Sequence, residues 1–182
     1  MLGLDGSYNQ DATALIACTV EPTPHIFVVG IWEPKTPEGV AFLRSTDDRI
    51  PIGDVEQAIR DACRRWRVLE VVCDPYRWQR SMEALAAEGL PMIEFPQSMA
   101  RMGPATAGLY DAVVERQVTH DGNRTLARHV AHATLRTDAR GSRIVKEHRQ
   151  SARRIDGAVA AVMAHSRALE LARRPKPSIY VG

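Results

Sequence analysis

The hydrophobic pattern of this 182-residue chain changes period once, near residue 50, and few folds accommodate both halves. Before that point the apolar residues come in short runs divided by turn residues. Leu2-Gly3-Leu4-Asp5 leads into the turn-rich Gly6-Ser7-Tyr8-Asn9-Gln10-Asp11. Residues 12–20 are apolar and partly β-branched, Glu21-Pro22-Thr23-Pro24 is a turn, and residues 25–32 read His-Ile-Phe-Val-Val-Gly-Ile-Trp. Three strands at such close spacing predict an antiparallel meander. After a loop-like stretch over 33–51, Asp54 is placed to cap a helix whose apolar face carries Val55, Ile59, Ala62, Cys63 and Trp66. Residues 68–73 then read as a buried strand ending at Asp74-Pro75. A helix follows over about 76–88, stopped by Gly89, and residues 92–95 form a short strand closed by Pro96. This alternation predicts parallel strands joined by crossover helices.

The rest of the chain reads as helices covering such a sheet. They run from Gly103-Pro104 to Arg116, over 126–133 after a turn at 119–123, and from Ser151 to about Arg174. Residues 135–146 suit a hairpin turning at Gly141. The expected class is α/β: a mixed sheet, three-strand meander plus parallel strands, flanked by helices. One domain is expected over 1–182, with a tail from about 175. A hydrophobic fraction of 45% and a charged fraction of 25% exclude a disordered or collagen-like chain. No run approaches the ~18 apolar residues of a membrane span, and no secretory signal is read at the start. Cys18, Cys63 and Cys73 are odd in number and lack CxxC spacing, so neither a disulfide framework nor a structural zinc is expected, and a reducing compartment is the default.

A net charge of +2 conceals an uneven distribution. Residues 136–174 hold ten Lys and Arg against four acids, a balance suited either to a polyanion or to a solvated helix face. Asp5 and Asp74 each end an apolar strand, where an ionised carboxylate is costly unless something neutralises it. Asp156 precedes Gly157 within the last helix as read, and a glycine tolerated there suggests close approach to another element. If the first strand and the Asp74 strand are neighbours, two carboxylates meet at their ends and Asp156 makes a third. Such a group repels itself unless divalent cations neutralise it, and Mg²⁺ and Mn²⁺ prefer these hard oxygen ligands. Taken singly, each acid also suits a structural role: a turn at Asp5-Gly6, an N-cap at Asp74-Pro75, a surface acid at Asp156.

Four segments taken together resemble the nuclease domain of tailed-phage terminase large subunits. They are Gly3-Leu4-Asp5-Gly6-Ser7, Val72-Cys73-Asp74-Pro75-Tyr76-Arg77-Trp78, Ile93-Glu94-Phe95-Pro96-Gln97 and Arg154-Ile155-Asp156-Gly157-Ala158-Val159-Ala160. They occur in the family's order and span nearly the whole chain. The resemblance implies an RNase H-like fold and a metal-dependent endonuclease that cuts concatemeric viral double-stranded DNA during genome packaging. It implies Asp5, Asp74 and Asp156 as catalytic acids and ligands of two Mg²⁺ or Mn²⁺ ions, with Asp11 as a further metal ligand. Arg153, Arg154, Lys146 and Arg77 are the expected DNA contacts. The implied partners are duplex DNA, a terminase ATPase domain, the small terminase subunit and the portal, in the host cytoplasm and away from any membrane.

The chain departs from the family in lacking a GxxxxGK[ST] phosphate loop, so no ATPase domain is expected within it. It also lacks GxGxxG and GxSxG motifs. His129 and His132 are expected to face solvent, and Tyr76 and Trp78 to pack. The alternatives are a non-catalytic DNA-binding or docking module of the packaging machine, or another RNase H-like nuclease such as a junction resolvase.

Overall fold

A computed structural model of the protein describes residues 1–7, 11–35, 49–139, 141–148 and 151–174. Parts of the first turn and of the 33–51 loop, Arg140, Arg149 and the tail lie outside the described residues. The expected meander is present as β1 (Leu2–Gly6), β2 (Thr13–Cys18) and β3 (His25–Trp32). Helix α1 (Ile52–Arg65) leads to β4 (Val71–Cys73), and α2 (Pro75–Ala87) leads to β5 (Met92–Glu94). Then come α3 (Met99–Val114), β6 (Thr119–His120), α4 (Arg124–His132), β7 (Thr134–Asp138), β8 (Gly141–Val145) and α5 (Asp156–Ala172).

Among the described residues six strands form one sheet in the order β5-β4-β1-β2-β3-β6, and β7-β8 form a separate hairpin. β1 pairs antiparallel with β2 and parallel with β4, with Leu4 opposite Cys73. The ends of β1 and β4 therefore lie side by side, and the next residues are Asp5 and Asp74. β2 is buried along its whole length because both faces of the sheet are covered. Leu2, Leu4, Leu15, Val71 and Cys73 pack with Val55, Ile59, Trp78 and Leu85 of α1 and α2. On the opposite face, Ala14, Ile16, Cys18 and Val72 pack with Met102, Leu126, Val159 and Met163 of α3, α4 and α5.

Gly3 sets the position of α5. A Cβ on Gly3 would lie 2.2 Å from the Ala160 carbonyl oxygen and 3.1 Å from Ala164 Cβ, so only glycine lets the helix lie this close to β1. Asp156 sits one turn ahead of Ala160, and Asp5 follows Gly3 on the same face of its strand. The contact that needs Gly3 thus directs Asp156 toward Asp5.

Several boundaries differ from expectation. α1 starts at Ile52, two residues before Asp54, with no side-chain cap; Asp54 instead favours the positive end of the helix from within its first turn. α3 starts at Met99, because the Ser98 side chain accepts from Arg101 N at 3.3 Å; Pro104 lies inside the helix and forgoes one intrahelical bond. Thr119 and His120, read as part of a turn, form β6 against β3. α5 begins at Asp156 rather than Ser151, which places Asp156 in the first turn and not mid-helix.

Candidate active site

Asp5, Asp11, Asp74 and Asp156 all line one cavity of about 370 Å³ over the adjoining ends of β1 and β4. Ser7, Tyr76, Arg77, Gln97, Arg143 and Lys146 share its wall. The carboxylates have different partners. Asp5 Oδ1 accepts from Gln97 Nε2 at 2.6 Å, and Arg143 Nη1 donates to the Gln97 carbonyl oxygen at 2.6 Å. Asp11 is ion-paired to the Lys146 ammonium, which the β7–β8 hairpin delivers. Asp74 caps α2: its Oδ1 accepts from Tyr76 N at 3.0 Å, with Pro75 in the first turn. The capping role of Asp74 and its place on the cavity therefore coexist. Asp156 Oδ2 is buried, with no hydrogen-bond partner among the described residues.

Electrostatics follow from this crowding. Burial pushes the Asp5 carboxyl up to about 7; repulsion from Asp11 and Asp74 adds to the rise, against the Gln97 hydrogen bond. Burial raises Asp156 well above the ordinary carboxylate range, reinforced by repulsion from Asp11 and Asp5 and opposed by Lys146. Among the described residues no three His, Cys, Asp or Glu side chains form a closed metal shell. The cavity offers instead an open set of hard oxygen donors, one of them buried and unsatisfied, with excess negative charge. That set fits a divalent cation of the Mg²⁺ or Mn²⁺ type.

The expected DNA contacts separate. Arg77 is exposed on the cavity wall, and Arg153 is largely exposed beside Glu147 at 3.3 Å. Arg154 is only 4% exposed, with Nη1 3.2 Å from Glu33 Oε1, so it is placed for an internal ion pair and not for a phosphate. Lys146 faces Asp11, and Arg167 pairs with Glu70 and Glu170. Much of the basic 136–174 stretch is thus compensated within the fold. Trp78 packs as expected, its indole Nε1 donating to the Gly6 carbonyl oxygen at 3.3 Å. Tyr76 does not pack: it is 85% exposed at the cavity rim.

His129 is fully buried, contrary to the solvent-facing expectation, and bonds Glu33 and Gly157. The Nδ1 of His132 lies 3.2 Å from the Arg154 carbonyl oxygen. His120 and Asp121 hold a local turn, accepting from Gly122 N and Asn123 N, on the strand farthest from β4 and β5. Gln97, Arg143, Glu33 and His129 were not among the residues expected at the site. Gln97 carried a signal, since it follows a strand closed by Phe95-Pro96 at the same end of the sheet. The other three are brought in by tertiary contacts with no local mark.

A mixed sheet with carboxylates at the ends of two parallel neighbours, and another at the start of a helix crossing them, has an RNase H-like architecture. The model for "Terminase large subunit, endonuclease domain" matches residues 45–171, and the chain belongs to that family. The Gene 13 protein of Mycobacterium phage L5 is 30% identical over 176 residues, an alignment that covers 90% of this chain and 28% of that protein. The large terminase subunit of Enterobacteria phage HK97 is 26% identical over 194 residues, with 88% and 36% covered. The chain thus spans little more than a quarter to a third of these relatives.

Solved structures agree on the fold. The HK97 large terminase superposes with a TM-score of 0.74 at 22% identity, over 91% of this chain and 38% of that one. The magnesium-bound large terminase nuclease of thermophilic phage G20c gives 0.59 at 15%, over 91% and 79%. No helix among the described residues is long and apolar enough to cross a membrane.

Proposed function

We propose that this chain is the divalent-cation-dependent endonuclease domain of a DNA-packaging terminase, hydrolysing phosphodiester bonds of double-stranded viral DNA concatemers. The observation that carries this reading is the shared cavity of Asp5, Asp11, Asp74 and Asp156, in which a buried Asp156 oxygen has no partner among the described residues. Asp5, Asp74 and Asp156 would hold the cations, with Asp11 as a further ligand, and a donor set this large suits two ions. Such cations supply charge neutralisation, a lowered pKa for water and stabilisation of the leaving oxygen.

The chain's own groups prepare that chemistry. Gln97 fixes one Asp5 oxygen. Lys146 offsets Asp11 and limits the cost of so many acids in one place. Arg77 and Arg153 are exposed and suited to the DNA backbone, as point contacts without base readout. The whole of 1–182 acts as one nuclease unit in this reading. The ATPase domain, small subunit and portal are its partners, and the host cytoplasm is its place of work.

Supercoiled plasmid cleavage tests the proposal, with Mn²⁺, Mg²⁺ or EDTA, for the wild type and Asp74→Ala. Metal-dependent nicking and linearisation, lost in the variant, is the expected result. A folded wild type that neither cuts nor binds Mn²⁺ would leave a docking module as the better reading. Strong preference for branched over linear DNA would assign a resolvase instead.

A further inference from the structure

We infer that Glu33 and His129 are positioning residues for Asp156, acting as an N-terminal helix cap supplied from outside α5. The inference rests on the reading of Asp156 as a cation ligand. A helix start leaves its first N–H groups without intrahelical partners, and Ser, Thr, Asp or Asn at the N-cap usually takes one of them. The N-cap of α5 is Ile155, whose side chain takes none. The Gly157 N–H instead donates to His129 Nδ1 of α4, at 2.9 Å.

To accept there, Nδ1 must carry no proton, so the ring proton belongs on Nε2. Nε2 lies 3.1 Å from Glu33 Oε1, a partner that selects this tautomer. Arg128 donates to both Glu33 oxygens at 2.7 and 2.6 Å, and Arg154 lies 3.2 Å away, so the carboxylate is itself fixed. Burial raises the Glu33 pKa, but the hydrogen bonds from His129, Arg128 and Arg154 outweigh it and hold the carboxyl below the usual carboxylate range.

Gly157 completes the arrangement. A Cβ there would stand 2.9 Å from His129 Nδ1 and 3.3 Å from Leu126 Cδ1, so the ring reaches the backbone only because residue 157 has no side chain. Among the described residues no group bonds the buried Asp156 Oδ2, and the carboxyl takes a hydrogen bond from its own backbone N–H. Its direction therefore depends on the backbone at 156–157, which the Glu33–His129 relay holds from the far side.

Mn²⁺ titration followed by electron paramagnetic resonance, on the full chain, tests this. Wild type and Asp156→Asn establish whether a site depends on Asp156. His129→Gln keeps a donor near Glu33 but moves the acceptor away from Gly157, whereas His129→Asn keeps an oxygen at the δ position. His129→Gln should weaken Mn²⁺ binding by about 10- to 100-fold, as loss of an orienting partner does, while His129→Asn stays within about threefold of wild type. Glu33→Ala should weaken binding and Glu33→Gln should restore it, which keeps the test open if a His129 variant does not fold. Equal affinity in wild type and His129→Gln, or equal loss in both His129 variants, overturns the inference. A wild-type Mn²⁺ site indifferent to Asp156→Asn overturns the reading of Asp156 and this inference with it.

Discussion

Gly3 and Gln97 position two of the cavity's acids, Asp156 and Asp5. At Gly3 a methyl group would meet the Ala160 carbonyl oxygen at 2.2 Å, and a backbone oxygen in a packed helix cannot yield. Gly3→Ala should cost about 1–3 kcal/mol, measured by urea unfolding, and shift α5 enough to lower cleavage further than stability alone explains. Gln97 donates to Asp5 Oδ1, and its bond works against the burial that raises the Asp5 pKa. Gln97→Leu should therefore raise that pKa further and weaken Mn²⁺ binding by about tenfold, read by calorimetric titration.

The same carboxyls predict how stability varies with pH. Burial raises Asp5 to about 7 and Asp156 above its ordinary value, so the metal-free folded state binds protons that the unfolded chain releases near pH 4. The Asp5 contribution is present at the lowest pH and is lost as pH rises from about 4 through about 7, and Asp156 acts in the same direction. Metal-free protein should melt higher at pH 5 than at pH 8, and Mg²⁺ should raise Tm more at pH 8 than at pH 5. A Tm independent of pH without metal, with no such Mg²⁺ effect, contradicts the charge balance described above.

Strands and helices were unequally legible in the sequence. The ends of β1 and β4 were readable because each apolar run stops at an Asp, and a strand buried on both sides has no other reason to end so. α2 was readable from Asp74-Pro75, a cap and a first-turn proline in one dipeptide. The start of α5 was not readable. Ser151-Ala152-Arg153-Arg154 has the composition of a capped first turn, and the true cap comes from His129 on another helix. Burial of Arg154 was hidden for the same reason, since a run of charges does not show which member finds Glu33.

That distinction predicts a difference in DNA binding. Arg77→Ala and Arg153→Ala should each reduce the slope of log affinity against log salt by about one phosphate contact. Arg154→Met should leave the slope unchanged while lowering Tm, because it leaves Glu33 short of a buried partner. A slope that falls equally in all three variants would return Arg154 to the DNA face.

Across the fold, the two covered faces of the sheet serve different ends. α1 and α2 pack one face through Val55, Ile59, Trp78 and Leu85, whereas α3, α4 and α5 pack the other through Met102, Leu126, Val159 and Met163. The cavity opens where β1 and β4 end and α5 begins, so each acid comes from a different piece of chain and no local motif contains the site. The β7–β8 hairpin closes one wall through Arg143 and Lys146. The chain matches 28% of the Mycobacterium phage protein, so longer relatives carry this unit alongside others.

Anomalous diffraction from crystals soaked in Mn²⁺ tests the metal-site reading most directly. Anomalous peaks are expected at about 2.0–2.3 Å from oxygens of Asp5 and Asp156, a range typical of such hard-ligand cations, with Asp74 on the same ion or on a neighbouring one. Soaked crystals with no peak in the cavity, or with Mn²⁺ bound only elsewhere on the surface, would contradict it.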